Sequence, residues 1–313
     1  MLRSLTVKVR PNCLIETPKW CMLGKHTRRY ASEQEPNLEP IVMSTDVFDG
    51  PKLDVTQPPL ITMHGLFGSK QNWRGISKAL SQKTNRRIYT VDARNHGDSP
   101  HTTVHSSDSM SADVVAFMEA RKLEKACLMG HSMGGRTMMY FALKYPQLTD
   151  RLIVVDISPI AVPRSTNEMV RIFDAMINMT VSPSVSMSEG RKLVREQIKQ
   201  ATDSNETVDF IMLNLRKDPQ TGVFSWACNA QLLRDFLPKF QKYGSKLSGL
   251  PPYTGPTTFI CGTHSPYMKR DHWPQILELF PNASIHWLET GHLVHFEQPQ
   301  QFLSIVGDFI NQP

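Results

Sequence analysis

The chain has 313 residues, 40% of them hydrophobic and 20% charged, which suits a globular protein with one substantial core. Its formal net charge is +6, but seven basic residues between Met1 and Ser32, opposed only by Glu16, account for the whole excess. The remainder is neutral, which excludes the broad basic surface that nucleic-acid binding requires. Cys13, Cys21, Cys127, Cys228 and Cys261 form no C-x-x-C pair, so neither a disulfide framework nor a zinc site fits their spacing.

The basic leader is poor in acids and dotted with Leu, Val, Ile and Trp, and it ends in Arg28-Arg29-Tyr30-Ala31-Ser32. That composition predicts a mitochondrial transit peptide over residues 1–32. A secretory signal would need an uninterrupted apolar run, and no window reaches the roughly 18 apolar residues of a transmembrane helix.

Beyond the leader, Ile41 to Phe48 with Asp49-Gly50 reads as an edge hairpin. The first strong strand is Leu60 to Met63. It delivers the loop His64-Gly65-Leu66-Phe67-Gly68, and a helix follows from about Gln71 to Gln82. Arg87 to Val91 is the next strand, running into Asp92-Ala93-Arg94-Asn95-His96-Gly97-Asp98-Ser99. This polar loop reads as structural: Asp92 and Arg94 are expected to form a buried ion pair, the small residues suit tight turns, and His96 has no ligand-spaced partner. A helix from about Ser109 to Arg121 precedes a short apolar strand, Ala126 to Met129.

That strand enters Gly130-His131-Ser132-Met133-Gly134-Gly135, and a helical pattern runs from Met133 to Lys144. Gly-x-Ser-x-Gly between a strand and a helix marks a nucleophile elbow, a sharp turn that holds a serine hydroxyl clear of the sheet. Leu152 to Val155 is a further apolar strand ending at Asp156. Alternating β and α segments imply a parallel, doubly wound sheet flanked by helices.

From Ile160 to about Leu250 the pattern is helical, with no convincing strand, which predicts an inserted helical lid over 160–250 between core segments 41–159 and 251–313. Met169, Ile172, Phe173, Met176 and Ile177 make one apolar face; Gly190 to Gln200, Thr207 to Leu215 and Cys228 to Phe240 make others. The sheet resumes with Thr257 to Cys261, then a helix around Pro274 to Leu279, a strand Ser284 to Leu288, Thr290-Gly291-His292-Leu293-Val294-His295, and a final helix from Pro299 to about Ile310.

Ser132 needs a base, and the base needs an acid to orient it. His292, behind a strand and a glycine, is the better base; His295 lies deeper in the following segment. The strand Thr257 to Cys261 ends in Gly262-Thr263-His264-Ser265-Pro266 without a carboxylate. Asp156 closes the strand that follows the elbow helix and is the favoured acid, with Asp271 and Asp235 as weaker choices.

The stretches His64 to Lys70, Val91 to Pro100, Gly130 to Gly135 and Val155 to Pro159 together resemble α/β-hydrolase domain-containing protein 11 and its bacterial esterase relatives, within the α/β-hydrolase superfamily. The resemblance covers the chain from about Ile41 onward and implies an α/β-hydrolase fold and a mitochondrial serine esterase or lipase with no metal or organic cofactor. It implies that the backbone N–H groups of Leu66 and Met133 form the oxyanion hole, with Phe67 the alternate for Leu66. Some members carry an aspartate after a Trp-x-x-Asn-x segment in the lid; here Trp226-Ala227-Cys228-Asn229-Ala230 is followed by Gln231, which favours Asp156. The expected substrate is a small-molecule carboxylic ester or lipid. A thioester or acylglycerol would use the same groups, and a non-catalytic binding protein on this fold is the alternative from another class.

Overall fold

The computed structural model describes residues 38–160, 167–240 and 242–312; the leader segment read as a transit peptide lies outside them. Seven strands form one sheet in the order β1-β3-β2-β4-β5-β8-β9. They are β1 (Thr45–Phe48), β2 (Leu60–Met63), β3 (Ile88–Val91), β4 (Ala126–His131), β5 (Thr149–Val155), β8 (Thr257–Gly262) and β9 (Ala283–Leu288). Only the β1–β3 pair is antiparallel. The central strands read as continuous apolar runs because both faces are covered. Successive side chains go to opposite faces: Leu128, Leu152, Val154 and Phe259 join one core cluster, and Cys127, Met129, Ile153 and Ile260 the other.

Helices α2 (Ser107–Ala120), α3 (Met133–Lys144) and α9 (Trp273–Leu279) cover the first face, and α1 (Arg74–Thr84) and α11 (Pro299–Ile310) the second. Strand β4 is central, so the loops after β2, β4, β5, β8 and β9 gather at the C-terminal edge of the sheet, where open α/β sheets hold ligands. No helix among the described residues is long and apolar enough to cross a membrane.

Three expectations need correction. The N-terminal edge hairpin is absent: β1 pairs with β3 across the sheet edge. The Asp49-Gly50 turn is used otherwise, with Asp49 paired to Arg87 at 2.7 Å and Gly50 packed so closely on the α1 backbone that a Cβ would lie 2.1 Å from the Ser81 carbonyl oxygen. Asp92 and Arg94 do not pair with each other. Two residues apart, they reach different elements: Asp92 binds Lys70 at 2.7 Å, and Arg94 grips Asp113 of α2 with two bonds of 2.6 and 2.7 Å.

The third correction concerns the insertion between β5 and β8. Helices α4 (Asn167–Ile177), α5 (Met187–Lys199), α6 (Asn205–Met212), α7 (Ala230–Phe240) and α8 (Tyr243–Leu247) are joined by a hairpin, β6 (Leu215–Lys217) with β7 (Phe224–Trp226). Three-residue strands are too short to show a period of two. Asp218 nucleates the turn by accepting the N–H groups of Gln220 and Thr221. Helices α4 to α7 and the hairpin build a separate apolar cluster, and Phe67 of the β2 loop belongs to it.

Candidate active site

Ser132 sits between β4 and α3 with φ +52° and ψ −112°, a strained conformation for a side-chain-bearing residue. Its N–H donates to the Val155 carbonyl and its own carbonyl accepts the Arg136 N–H, both at 3.0 Å. The two flanking glycines are required by contact. A Cβ on Gly130 would lie 2.3 Å from the Gly134 backbone, and one on Gly134 would lie 2.4 Å from the Met63 carbonyl oxygen. Met133 is the first residue of α3, so its N–H has no intrahelical partner and points out of the helix N-terminus.

Asp156 follows β5 with its side chain wholly buried and φ +49°. Its Oδ1 accepts the Gly262 N–H at 2.9 Å, and its Oδ2 accepts the Ser265 hydroxyl and His292 Nδ1–H, the latter at 2.5 Å. The end of β8 and the loop after it therefore supply donors to this carboxylate rather than a carboxylate of their own. Because Asp156 can only accept when ionised, the proton of neutral His292 is on Nδ1 and Nε2 is left with its lone pair. Asp271 is exposed in a short helical turn, and Asp235 is engaged with Gln231 and Arg234 on α7; neither touches His292.

Four contacts fix His292. The first is Asp156. Tyr267 stacks on its ring at 4.0 Å. Its carbonyl accepts from His131 Nε2 at 2.9 Å. The N–H groups on either side, those of Gly291 and Leu293, donate to the Glu297 carboxylate at 2.7 and 3.1 Å. Ser265, Tyr267, His131 and Glu297 were not singled out from the sequence. Only the position of His131 inside the elbow motif offered a signal.

His295 is buried and stacked on Trp73 at 4.4 Å, away from the cavity. Burial, with the neighbouring His292 ring, pushes it down to about 3. Burial likewise holds His131 well below the usual imidazole range, aided by His292 and His295. These supporting rings are neutral at physiological pH. In the β3 loop, His96 packs between His64 and His105 at 5.1 and 5.7 Å, and among the described residues no group of three or more His, Cys, Asp or Glu is arranged to hold a metal.

The β2 loop faces the elbow. Neutral His64 accepts the Ala93 N–H on Nε2 at 3.0 Å and donates from Nδ1 to the Gly65 carbonyl at 2.8 Å. A Cβ on Gly65 would lie 2.8 Å from His131 Nδ1 and 3.2 Å from Ser132 Cβ. Leu66, Phe67, Ser132, Met133 and His292 all line one cavity of about 220 Å³. Its remaining wall is mostly apolar and comes largely from the insertion, including Met169, Ile172, Phe210, Leu237 and Phe240. Among the described residues Ser132 Oγ makes no hydrogen bond; such contacts are often loose without substrate.

Residues 58–299 match the family described as the alpha/beta hydrolase fold, and the chain belongs to that family. It is 37% identical over 283 residues to the mouse protein named sn-1-specific diacylglycerol lipase ABHD11, across 90% of this chain and 89% of that one. It is 25% identical over 267 residues to ethanol acetyltransferase 1 of Cyberlindnera jadinii, across 81% of this chain and 80% of the yeast one. Among solved structures, a marine microorganism esterase matches with a TM-score of 0.76 and 29% identity, covering 86% of this chain and 99% of its own. The protein is a hydrolase.

Proposed function

We propose that this protein hydrolyses carboxylic esters with Ser132 as nucleophile, His292 as general base and acid, and Asp156 as the residue that orients and charges His292. One observation carries the reading: His292 donates Nδ1–H to buried Asp156 at 2.5 Å while His292 and Ser132 line the same apolar cavity. His292 Nε2 takes the Ser132 proton as Oγ attacks the ester carbonyl carbon. The carbonyl π pair moves to oxygen, where the N–H groups of Leu66 and Met133 stabilise the charge. The tetrahedral intermediate collapses, the C–O bond to the alcohol breaks, and the departing oxygen takes the proton from His292. Water, deprotonated by His292, then attacks the acyl-enzyme, and the acid leaves as Ser132 regains its proton.

Epoxide hydrolase and dehalogenase chemistry of this fold requires an aspartate at the elbow, where this chain has Ser132. The apolar wall suits the acyl part of an uncharged ester, and the lipase name of the mouse relative supports acylglycerols or simple esters as the substrate class. The insertion over residues 160–250 acts as the lid that supplies this wall. Residues 1–32 direct mitochondrial import.

The test is steady-state hydrolysis of 4-nitrophenyl esters and diacylglycerol by wild type and Ser132→Ala. Loss of a triad nucleophile costs on the order of 10⁶ in kcat, so the variant should be inactive at practical concentrations. Equal turnover by the two proteins would dismiss the reading.

A further inference from the structure

The loop after β2 adopts a conformation that its sequence disfavours. Gly68 N–H donates to the Gly65 carbonyl at 2.9 Å and closes a four-residue turn. Phe67, third in that turn, has φ +61°, whereas Leu66 has no positive φ. That combination is the type II turn, whose third position favours Gly or Asn because other residues are strained there. Type I needs no positive φ and differs by rotation of the single peptide between Leu66 and Phe67. The rotation leaves the Leu66 N–H in place but turns over the peptide after it, exchanging the Leu66 carbonyl and the N–H of Phe67, the alternate oxyanion donor, between the two faces of the turn beside Ser132.

Two anchors on the insertion prevent it. The Phe67 carbonyl accepts a hydrogen bond from Asn214 Nδ2 at 2.5 Å. The Phe67 side chain is buried in the insertion's cluster, its ring 4.7 Å from that of Phe173. Turning the preceding peptide over also swings the Cα–N bond of Phe67, which would pull its carbonyl off Asn214 and its ring out of the cluster, so the two anchors oppose the rotation. Asn214 is itself fixed at the corner between α6 and β6: it is 3% exposed, its N–H donates to Ile211 at 2.9 Å, and its carbonyl accepts the Ala227 N–H at 2.8 Å.

We propose that Asn214 is a positioning residue, whose buried amide holds the oxyanion turn in its left-handed conformation so that turnover requires the insertion to be seated on the β2 loop. The proposal rests on the ester-hydrolase reading above. The insertion has independent ties to the β3 loop, from Arg216 to Asp98 at 2.6 Å and from the Asn229 N–H to the Asn95 carbonyl at 2.9 Å. Loss of the Asn214 amide therefore frees the turn without detaching the insertion.

Two variants test this. Asn214→Leu keeps the volume and removes the donor; Asn214→Asp donates only while its carboxyl is protonated. Misplacement of a catalytic group costs on the order of 10²-fold, so kcat of Asn214→Leu should fall by about that factor with KM within about twofold. For Asn214→Asp, kcat divided by the wild-type value at the same pH should approach one at low pH and fall as the carboxyl ionises. A folded Asn214→Leu with kcat within about twofold of wild type, or an Asn214→Asp ratio that does not change with pH, would overturn the proposal. Where Asn214→Leu fails to fold by circular dichroism, the Asn214→Asp ratio alone decides. Ser132→Ala is assayed alongside: if it keeps activity, the ester-hydrolase reading itself fails, whereas an inactive Ser132→Ala beside a fully active Asn214→Leu removes only the role of Asn214.

Discussion

Replacing Asp156 by Asn changes one oxygen to an NH₂ and leaves the shape and backbone intact, since Asn tolerates the φ of +49° found there. Two consequences follow. The amide can still accept the Gly262 N–H on its oxygen, but its NH₂ then faces His292 Nδ1, which must accept. The imidazole proton moves to Nε2, the atom that must take the Ser132 proton. The negative charge beside the imidazolium is also lost. With the charge centres about 4 Å apart and an effective dielectric near 20, that charge is worth about 4 kcal/mol, roughly three decades of rate. The wrong tautomer adds to this, and the expected fall in kcat is on the order of 10³ to 10⁴, with a smaller change in KM. The assay is kcat and KM for a 4-nitrophenyl ester on purified protein whose fold is verified by circular dichroism. Near wild-type turnover by folded Asp156→Asn, with Asp235→Asn or Asp271→Asn inactive instead, would refute the reasoning.

Further outcomes are expected elsewhere. Glu297→Ala releases both N–H groups that flank His292 and should lower kcat about tenfold, the equivalent of one hydrogen bond's worth of alignment, with little change in melting temperature; an unchanged kcat would contradict the bracing role. Burial pushes His105 and His295 down to about 3, so the unfolded chain binds more protons than the fold as pH drops below about 6.5, and stability should fall by on the order of 1–2 kcal/mol per histidine between about pH 7 and 5. Among the described residues neither nitrogen of His105 has a hydrogen-bond partner, so thermal melts of His105→Phe should show a shallower loss on acidification, and an identical slope would sink the assignment. Deleting Met1 to Tyr30 should spare esterase activity and abolish import into isolated mitochondria; import of the truncated chain would disprove the targeting reading.

The core strands were legible because strands buried on both faces are continuous apolar runs ended by glycine or charge, as at Leu60 to Met63 before His64-Gly65 and at Leu152 to Val155 before Asp156. The elbow was legible because Gly130, Ser132 and Gly134 form a local pattern between a strand and a helix, although the backbone that excludes a Cβ on Gly134, at Met63, lies far away in the chain. The contact between Asp156 and His292 was reached by elimination, since no carboxylate follows β8. What stayed hidden depends on partners distant in sequence. Lys70 for Asp92 and Asp113 for Arg94 lie 22 and 19 residues from their mates, and Asn214 lies 147 residues from the carbonyl it holds. No local period marks such pairs, and the hairpin inside the insertion was too short to interrupt the helical pattern around it.

The most direct test of the account is to treat purified wild type and Ser132→Ala with a fluorophosphonate probe and locate the adduct by peptide mass spectrometry. The account predicts one adduct, on Ser132, formed in wild type and absent from Ser132→Ala. A folded wild type that takes no label, or a label on another residue that persists in Ser132→Ala, would contradict it.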